Sequence, residues 1–569
     1  MSRARGLALT VGLVCVGGCG ERTSSTGTAA SAEPWFREVA RESGVDFVHQ
    51  CGHSGGFYLT EVVAGGVALL DADEDGSLDV YFVQSGSLTG SPAEQPSDRL
   101  YRNRGDGTFE DVTERSGIVE HAYGMGAATG DRDNDGHVDL YVTNFGRNRL
   151  LDGAGDGTFT DATDAAGVGG SGFGSGAAFL DYDADGDLDL YAAQYMIWSP
   201  ETERTCYDDL GRRDYCAPAR YNSPARDVLY RNDGEGTFTD VSEEAGIAAV
   251  SGSGLGVVCG DFSGDGRVDV FVANDGRVNR LWINAGDGRF EEQAMLRGCA
   301  MDQDGKAKAG MGVTAADLEG DGDLDLLVCN LGGESDSLYL NQGAFFGDGG
   351  GVSGLGRTSR AFTRFGLGWV DFDDDGRLDL YEANGRVARS TDPHDPADPM
   401  AEPNLLFRGR SEGGFEEVEP RGGTLPVLVH TSRGAAFGDL DNDGGVDVVV
   451  VNRDAAPYVL RNARSPRGHW LLVRVLDEHG RDALGATVTI RIGPRSLRRD
   501  VRTAYSYCSA SDPRVHFGLG EHDAVDALEV TWIDGTREGI RVPGVDRILE
   551  VRRDRSGVAS VREPSRRSR

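Results

Sequence analysis

The chain has 569 residues, 84 of them glycine, about twice the usual share of about 7%. No Gly-X-Y period accompanies that glycine and prolines number only 18, which excludes a collagen and a Pro-rich disordered chain. Asp and Glu number 93 against 57 Lys and Arg, a formal charge of −36, and so acidic a chain repels nucleic acid. The excess is unevenly spread: residues 466–569 carry 19 Arg against 15 acids, so residues 1–465 stand at −40. Two physically different pieces meet near residue 465.

The N-terminus reads as an export signal over residues 1–19. Arg3 and Arg5 precede an apolar run, Leu7 to Val16, too short to span a bilayer. Val16-Gly17-Gly18-Cys19 then resembles a bacterial lipobox, which makes Cys19 the lipidation site. Residues 20–33, rich in Ser, Thr, Ala and Gly, read as a flexible tether. No later stretch is apolar enough to span a membrane, so contact with one is expected only through the lipid anchor. The expected location is the cell envelope, at the outer membrane or cell surface.

From residue 34 to 462 one signature recurs seven times. At positions 1, 3, 5 and 9 it places Asp71, Asp73, Asp75 and Asp79, then Asp131, Asp133, Asp135 and Asp139, then Asp181, Asp183, Asp185 and Asp189. The fourth loop has Asp261, Ser263, Asp265 and Asp269, and the fifth Asp317, Glu319, Asp321 and Asp325. Asp371, Asp373, Asp375 and Asp379 form the sixth, and Asp439, Asp441, Asp443 and Asp447 the seventh. Starts lie 60, 50, 80, 56, 54 and 68 residues apart, a repeat period.

The pattern is that of a calcium loop. Side-chain oxygens at positions 1, 3 and 5 converge when the chain turns sharply, and a glycine at position 6 permits the turn. Position 7 (Ser77, His137, Asp187, Arg267, Asp323, Arg377, Gly445) offers a backbone carbonyl, and Asp at position 9 closes the shell. So many hard oxygens suit Ca²⁺ rather than Zn²⁺, up to seven ions in all. An EF-hand fails: position 12 is apolar in six loops and acidic only at Glu382, and the flanks (Val80-Tyr-Phe-Val, Val446 to Val451) read as strands.

Each loop therefore joins two strands, and Gly-Asp-Gly hairpins after several loops supply two more. A glycine five residues before every loop, from Gly66 to Gly434, marks innermost strands crowding an axis. Four strands, seven times over, give an all-β fold: a seven-bladed β-propeller. Phe36 to Gly44 matches Phe109 to Gly117 nearly position for position, yet precedes the first loop. The N-terminal strand is expected to complete the last blade. The fourth strand of the fifth unit, near Phe345, reads as degraded.

Other residues invite chemistry. Cys206 and Cys216 are the favoured disulfide, in an insert from Met196 to Asp227 that also holds Tyr207, Tyr215 and Tyr221. His49, Cys51 and His53 alternate as a metal clasp would, but lack a fourth ligand; an ordinary loop is the favoured reading. Beyond residue 463 the runs Trp470 to Val475 and Thr487 to Ile492 alternate, giving a small antiparallel β domain to residue 552. His516, between Val515 and Phe517, reads as a packed histidine, and residues 553–569 as a basic disordered tail.

The repeats resemble the FG-GAP/VCBS class of calcium-binding propeller repeats, seen also in integrin α-subunits. Leu484 to Val488, Val515 to Gly520 and Val530 to Gly535 resemble the ASPIC/UnbV domain. Together they are similar to the cartilage acidic protein family; Ser263 and Glu319 depart from its calcium pattern. The resemblance implies an exported calcium-binding adhesion or interaction protein with a protein or glycan ligand, and supplies no reaction. The alternative is a propeller-based polysaccharide lyase or hydrolase. No H-E-x-x-H or P-loop is present, and no catalytic residue is assigned.

Overall fold

The computed structural model describes residues 33–90, 95–351 and 353–562. The export signal, Cys19 and the tether to residue 32 lie outside them, as do residues 563–569. Among the described residues no helix is long and apolar enough to cross a membrane.

Seven four-stranded antiparallel blades follow one another, opened by strands Val67–Leu70, Tyr123–Gly130, Ser171–Leu180, Gly254–Gly260, Val313–Ala316, Arg364–Val370 and Ser432–Gly438. Each opening strand touches that of the next blade, and the seventh touches the first, so they line a closed ring. Glycine is needed where they crowd. A Cβ on Gly312 would sit 2.1 Å from the Phe365 carbonyl oxygen, and one on Gly434 2.5 Å from that of Gly65. The ring closes as the N-terminal repeat implies: Phe36–Glu38 pairs with Tyr458–Asn462, Phe36 opposite Asn462. The fifth blade differs from expectation. Its fourth strand is intact, Phe346–Asp348 pairing with Ser337–Asn341, because buried Phe346, not exposed Phe345, fills the inward position.

The C-terminal part is two more four-stranded sheets. It is not wholly antiparallel: His469–Leu476 runs parallel to Arg547–Arg553. Nor does the expected disordered tail begin at 553, since Ala559–Arg562 adds a last strand to Arg547–Arg553. Backbone pairing there outweighs the local excess of arginine.

This part is not a separate bead. Leu471, Val473, Val488 and Phe517 share one apolar cluster with Ala128, Tyr141 and Leu190 of the second and third blades. Residues 503–512 run down the propeller axis. Ala510 N donates to Val67 O and Leu69 N to Ala510 O, both at 2.9 Å, while Val313 and Ser506 exchange bonds of 3.0 and 2.7 Å. Tyr507, fully buried, donates its hydroxyl to Val63 O at 2.5 Å. The inner strands therefore find in this segment the partners that an open channel would leave to water.

Candidate functional site

All seven loops are turns built on one hydrogen-bond template. The position-1 aspartate accepts the N–H of the position-6 glycine at 2.7 to 3.1 Å. The position-5 aspartate accepts the position-7 N–H at 2.8 to 3.0 Å. Position 9 reaches further, as Asp79 does: one oxygen takes Ala72 N at 3.1 Å, the other Asn103 N on the third strand at 2.7 Å. The same pair of bonds recurs through Asp447, to Leu440 N and Asn462 N. Each such oxygen keeps a lone pair for a cation.

Donors gather tightly in five loops. Oxygens of Asp71, Asp73 and Asp75 come within 4.8 Å of one another, as do those of Asp131, Asp133 and Asp139, and of Asp181, Asp183 and Asp189. Asp371, Asp373 and Asp379 do so in the sixth loop, and Asp439, Asp441 and Asp447 in the seventh. Burial makes these charges costly. It pushes Asp71, Asp131, Asp181 and Asp439 up to about 6, Asp371 up to about 7 and Asp189 up to about 9, with neighbouring carboxylates adding to the effect.

The test of fit is what remains unpaired. Asp181 is 3% exposed and Asp373 6%, yet one oxygen of each accepts no hydrogen bond among the described residues. Oxygens of Asp71, Asp73 and Asp133 are likewise orphaned. A buried carboxylate oxygen without a donor is strongly disfavoured unless a cation satisfies it. Several such oxygens at one turn suit Ca²⁺, which takes six to eight hard donors; bound there, it neutralises the cluster and fixes the turn.

The C-terminal part covers these loops with arginine. Arg481, 7% exposed, donates to the Asn134 side chain at 2.5 Å and to Gly186 O. Arg495 donates to Gly376 O and Arg498 to Gly322 O. Arg514 reaches Asp439 O at 2.9 Å and Asn442 Oδ1 at 2.7 Å. The two oppositely charged pieces of the sequence are thus two sides of one intramolecular contact.

Away from the loops, at the other ends of the strands, lies the long insert. Cys206 and Cys216 are bonded across a small hairpin, Cα to Cα 5.2 Å. The hairpin is clamped to the N-terminal segment: Arg213 donates to Gly55 O and Gly56 O, and Arg213 and Arg389 lie 5.4 and 5.2 Å from the Phe57 ring centre. Tyr207 and Leu210 stay exposed. Beneath them His53 Nδ1 and Tyr215 OH approach one oxygen of buried Glu61, at 2.7 and 2.8 Å.

The His49-Cys51-His53 alternation assembles no clasp. His49 Nε2 lies 3.0 Å from Ser85 Oγ, the Cys51 thiol donates to Asp454, and His53 turns to Glu61. Burial pushes Cys51 up to about 12 and His49 down to about 4, so neither is a poised nucleophile or base. His516 is packed, its Nε2 3.1 Å from Asp374 Oδ1.

A model of FG-GAP-like repeats matches residues 71–142, 131–192, 208–272 and 261–328, and a model of the ASPIC and UnbV domain matches 477–558. The chain is an FG-GAP repeat protein with an ASPIC/UnbV domain. It is similar to cartilage acidic protein 1 of Homo sapiens, 29% identical over 341 residues, 56% of this chain and 48% of the relative. Cartilage acidic protein 1 of Xenopus tropicalis is 24% identical over 489 residues, 83% of this chain and 61% of the relative. The chain thus spans about half the length of the human relative. Among solved structures, the BP39L lectin from Burkholderia pseudomallei aligns with TM-score 0.40 and 12% identity, covering 70% of this chain and 95% of that one.

The FG-GAP repeats hold one device that sequence reasoning missed. The asparagine closing the third strand, Asn103, Asn232, Asn284, Asn341 or Asn462, donates its side chain to a carbonyl of its own blade and to one of the preceding blade. Its signal was present: the residue stands just before a hairpin in five repeats, with Gly153 and Gly409 in the other two.

Proposed function

We propose that this chain is an exported, lipid-anchored, calcium-binding adhesion or interaction protein whose propeller presents a protein- or glycan-binding surface. The observation that carries the reading is the set of buried, unpaired carboxylate oxygens at Asp181 and Asp373 within repeated five- to nine-residue turns, which call for Ca²⁺. An ion there is a strut rather than a reagent: it sits at a turn between two strands. The disulfide-pinned insert, with exposed Tyr207 and Leu210 beside Arg212 and Arg213, is the surface proposed to meet the ligand. Similarity to cartilage acidic protein 1 supports an extracellular setting.

The test is to pass the calcium-loaded protein over protein, glycan and polysaccharide panels, recording both retention and release of fragments. Retention without release supports a binding module. Released oligosaccharide would place the protein among polysaccharide lyases or hydrolases instead. The anchor is tested separately: radiolabelled palmitate should enter the wild type in a bacterial host and not Cys19→Ser.

A further inference from the structure

Three aspartates stand just before third strands at matching register: Asp98, Asp227 and Asp336, each two residues before the leucine that faces the middle of the second strand. In blades one and three that leucine faces a tyrosine, which donates its hydroxyl to the aspartate, Tyr81 to Asp98 and Tyr191 to Asp227. A backbone N–H, of Gln84 or Gln194, satisfies the other oxygen. In blade five the tyrosine is replaced by Leu327. Asp336, also buried, therefore lacks a phenol, and among the described residues its Oδ2 accepts no hydrogen bond.

The sixth blade supplies what faces it. The guanidinium of fully buried Arg364 brings Nε and Nη2 to Asp336 Oδ1 at 2.9 and 2.8 Å. Nη2 also donates to Glu334 O at 2.9 Å, and Nη1 to Leu331 O at 3.4 Å and to Phe362 O. An arginine has five N–H groups, so none is left over. Glu382, on Asp379–Asn384, is 0% exposed, and neither of its oxygens accepts a hydrogen bond among the described residues. Leu367 and Leu405 flank it across the sheet, at the position that is apolar in the other six repeats.

Nothing nearby can donate to an ionised Glu382. The Cys329 thiol donates to Phe365 O at 3.0 Å, and Glu402, the other acid near Arg364, is engaged by Arg386 at 3.0 Å and Thr363 N at 2.8 Å. Asp336 lies within hydrogen-bond range of Glu382. A buried carboxylate with no donor is strongly disfavoured, and two of them against one guanidinium more so. Burial, with the charge of Asp336 added, holds the Glu382 carboxyl well above the usual glutamate range against the pull of Arg364.

We infer that Glu382 is a neutral carboxylic acid whose O–H is donated to Asp336 Oδ2, so that one proton joins blade six to blade five where blades one and three use a tyrosine hydroxyl. Loss of that proton leaves two buried carboxylates against Arg364, which makes this joint the alkaline-sensitive seam of the ring.

Isotope-edited infrared spectroscopy of the full chain, labelled with carbon-13 in its glutamates, tests this. One protonated glutamate carbonyl band should persist at about pH 8, where an ordinary glutamate is ionised, and vanish in Glu382→Gln, whose amide can still donate to Asp336. No such band in the wild type, as an ionised Glu382 or a cation beside it would give, overturns the inference, and that spectrum decides even if the variant fails to fold. A band that survives the substitution overturns it too. Denaturant unfolding gives a second reading. The folded state holds this proton more tightly than the unfolded chain, so the contribution of Glu382 is complete below the unfolded value and falls as pH rises. Relative to wild type, the folding equilibrium of Glu382→Gln should gain about tenfold per pH unit from about pH 5 upward, until Glu382 ionises. Parallel pH profiles would overturn the shared proton.

Discussion

The side-chain amide of Asn103 donates to the carbonyl of Leu440 at 2.7 Å, joining the first blade to the seventh across 337 residues of sequence. The same nitrogen donates to Leu78 O at 3.0 Å, within its own blade. Together with the pairing of Phe36–Glu38 on Tyr458–Asn462, this bond makes the ring a ring rather than a row of repeats.

Asn103→Ala should therefore weaken closure more than an ordinary surface change. It strips buried carbonyls of Leu78 and Leu440 of their donor, a loss of about 2–4 kcal/mol if each orphaned group costs about 1–2. Urea denaturation should show a lower midpoint at an unchanged slope. Asn462→Ala should behave likewise, since its side chain reaches Phe372 O at 2.9 Å. Stability equal to wild type in both variants would show that these asparagine bonds do not hold the blades together.

Calcium removal is the broader test. At about 1 mM free calcium, a site with Kd on the order of 10⁻⁴ M gains about 1.4 kcal/mol, so seven filled sites give about 10. With unfolding entropy of roughly 2.1 cal/mol/K per residue, a chain of this size should then lose roughly 8 °C in excess chelator. A shift of a degree or two defeats the structural role of the metal.

Much of this was legible in the sequence, and the reason is periodicity. Asp at positions 1, 3, 5 and 9 with glycine at 6 fixes loop chemistry locally, and the copy of Phe109–Gly117 at Phe36–Gly44 betrays ring closure. What could not be read is what happens once. Thr503 to Asp512 mixes small and polar residues with Tyr505 and Tyr507 and has no sustained apolar run, so nothing local marks it as the filling of an axis. Its bonds to Val67, Ala127 and Val313 are set by tertiary context. The charge split near residue 465 was visible; that the arginines of one piece cap the acidic turns of the other was not, because charge balance carries no geometry.

Stability should carry a pH signature from Asp227. This buried carboxyl accepts Tyr191 OH and Gln194 N, both at 2.8 Å, and burial pushes it from 3.8 up to about 6. The folded state thus holds the proton more tightly than the unfolded chain. Its contribution is complete below about pH 4 and is lost as pH rises through about 6, a change of about 3 kcal/mol for a shift of about two units. Asp227→Asn cannot titrate, so its stability relative to wild type should climb between pH 4 and 6.5, then level off. Parallel pH profiles would contradict this.

The disulfide should matter locally. Cys216→Ser opens a ten-residue separation on an insert that pairs with the rest through Ala225 and Arg213. Cross-linking a loop of this size restrains the unfolded chain by roughly 2–4 kcal/mol. Limited proteolysis of the variant should cut first between residues 204 and 216 while the propeller remains intact. Cleavage elsewhere first would show that the insert is held by its clamps alone.

Removing the ASPIC/UnbV domain should damage the propeller itself. A chain ending at residue 462 leaves Leu69 N, Ala127 N and Val313 N, now bonded to Ala510 O, Cys508 O and Ser506 O at 2.9, 3.2 and 3.0 Å, facing an emptied axis. It also uncovers Ala128, Tyr141 and Leu190, which share a core with Leu471 and Phe517. Water could re-satisfy the amides, but not the apolar surface. A single change isolates the axial contribution from that loss. Tyr507→Phe keeps the ring against Phe365, at 4.9 Å between centres, and deletes the bond to Val63 O. It leaves one buried carbonyl unpaired, a loss of about 1–3 kcal/mol. Hydrogen exchange should then quicken at Val67–Leu70 and Val313–Ala316 in the truncated chain, and mildly in Tyr507→Phe. Wild-type protection of those strands in the truncated chain would mean that the domain merely rests on the ring rather than completing it.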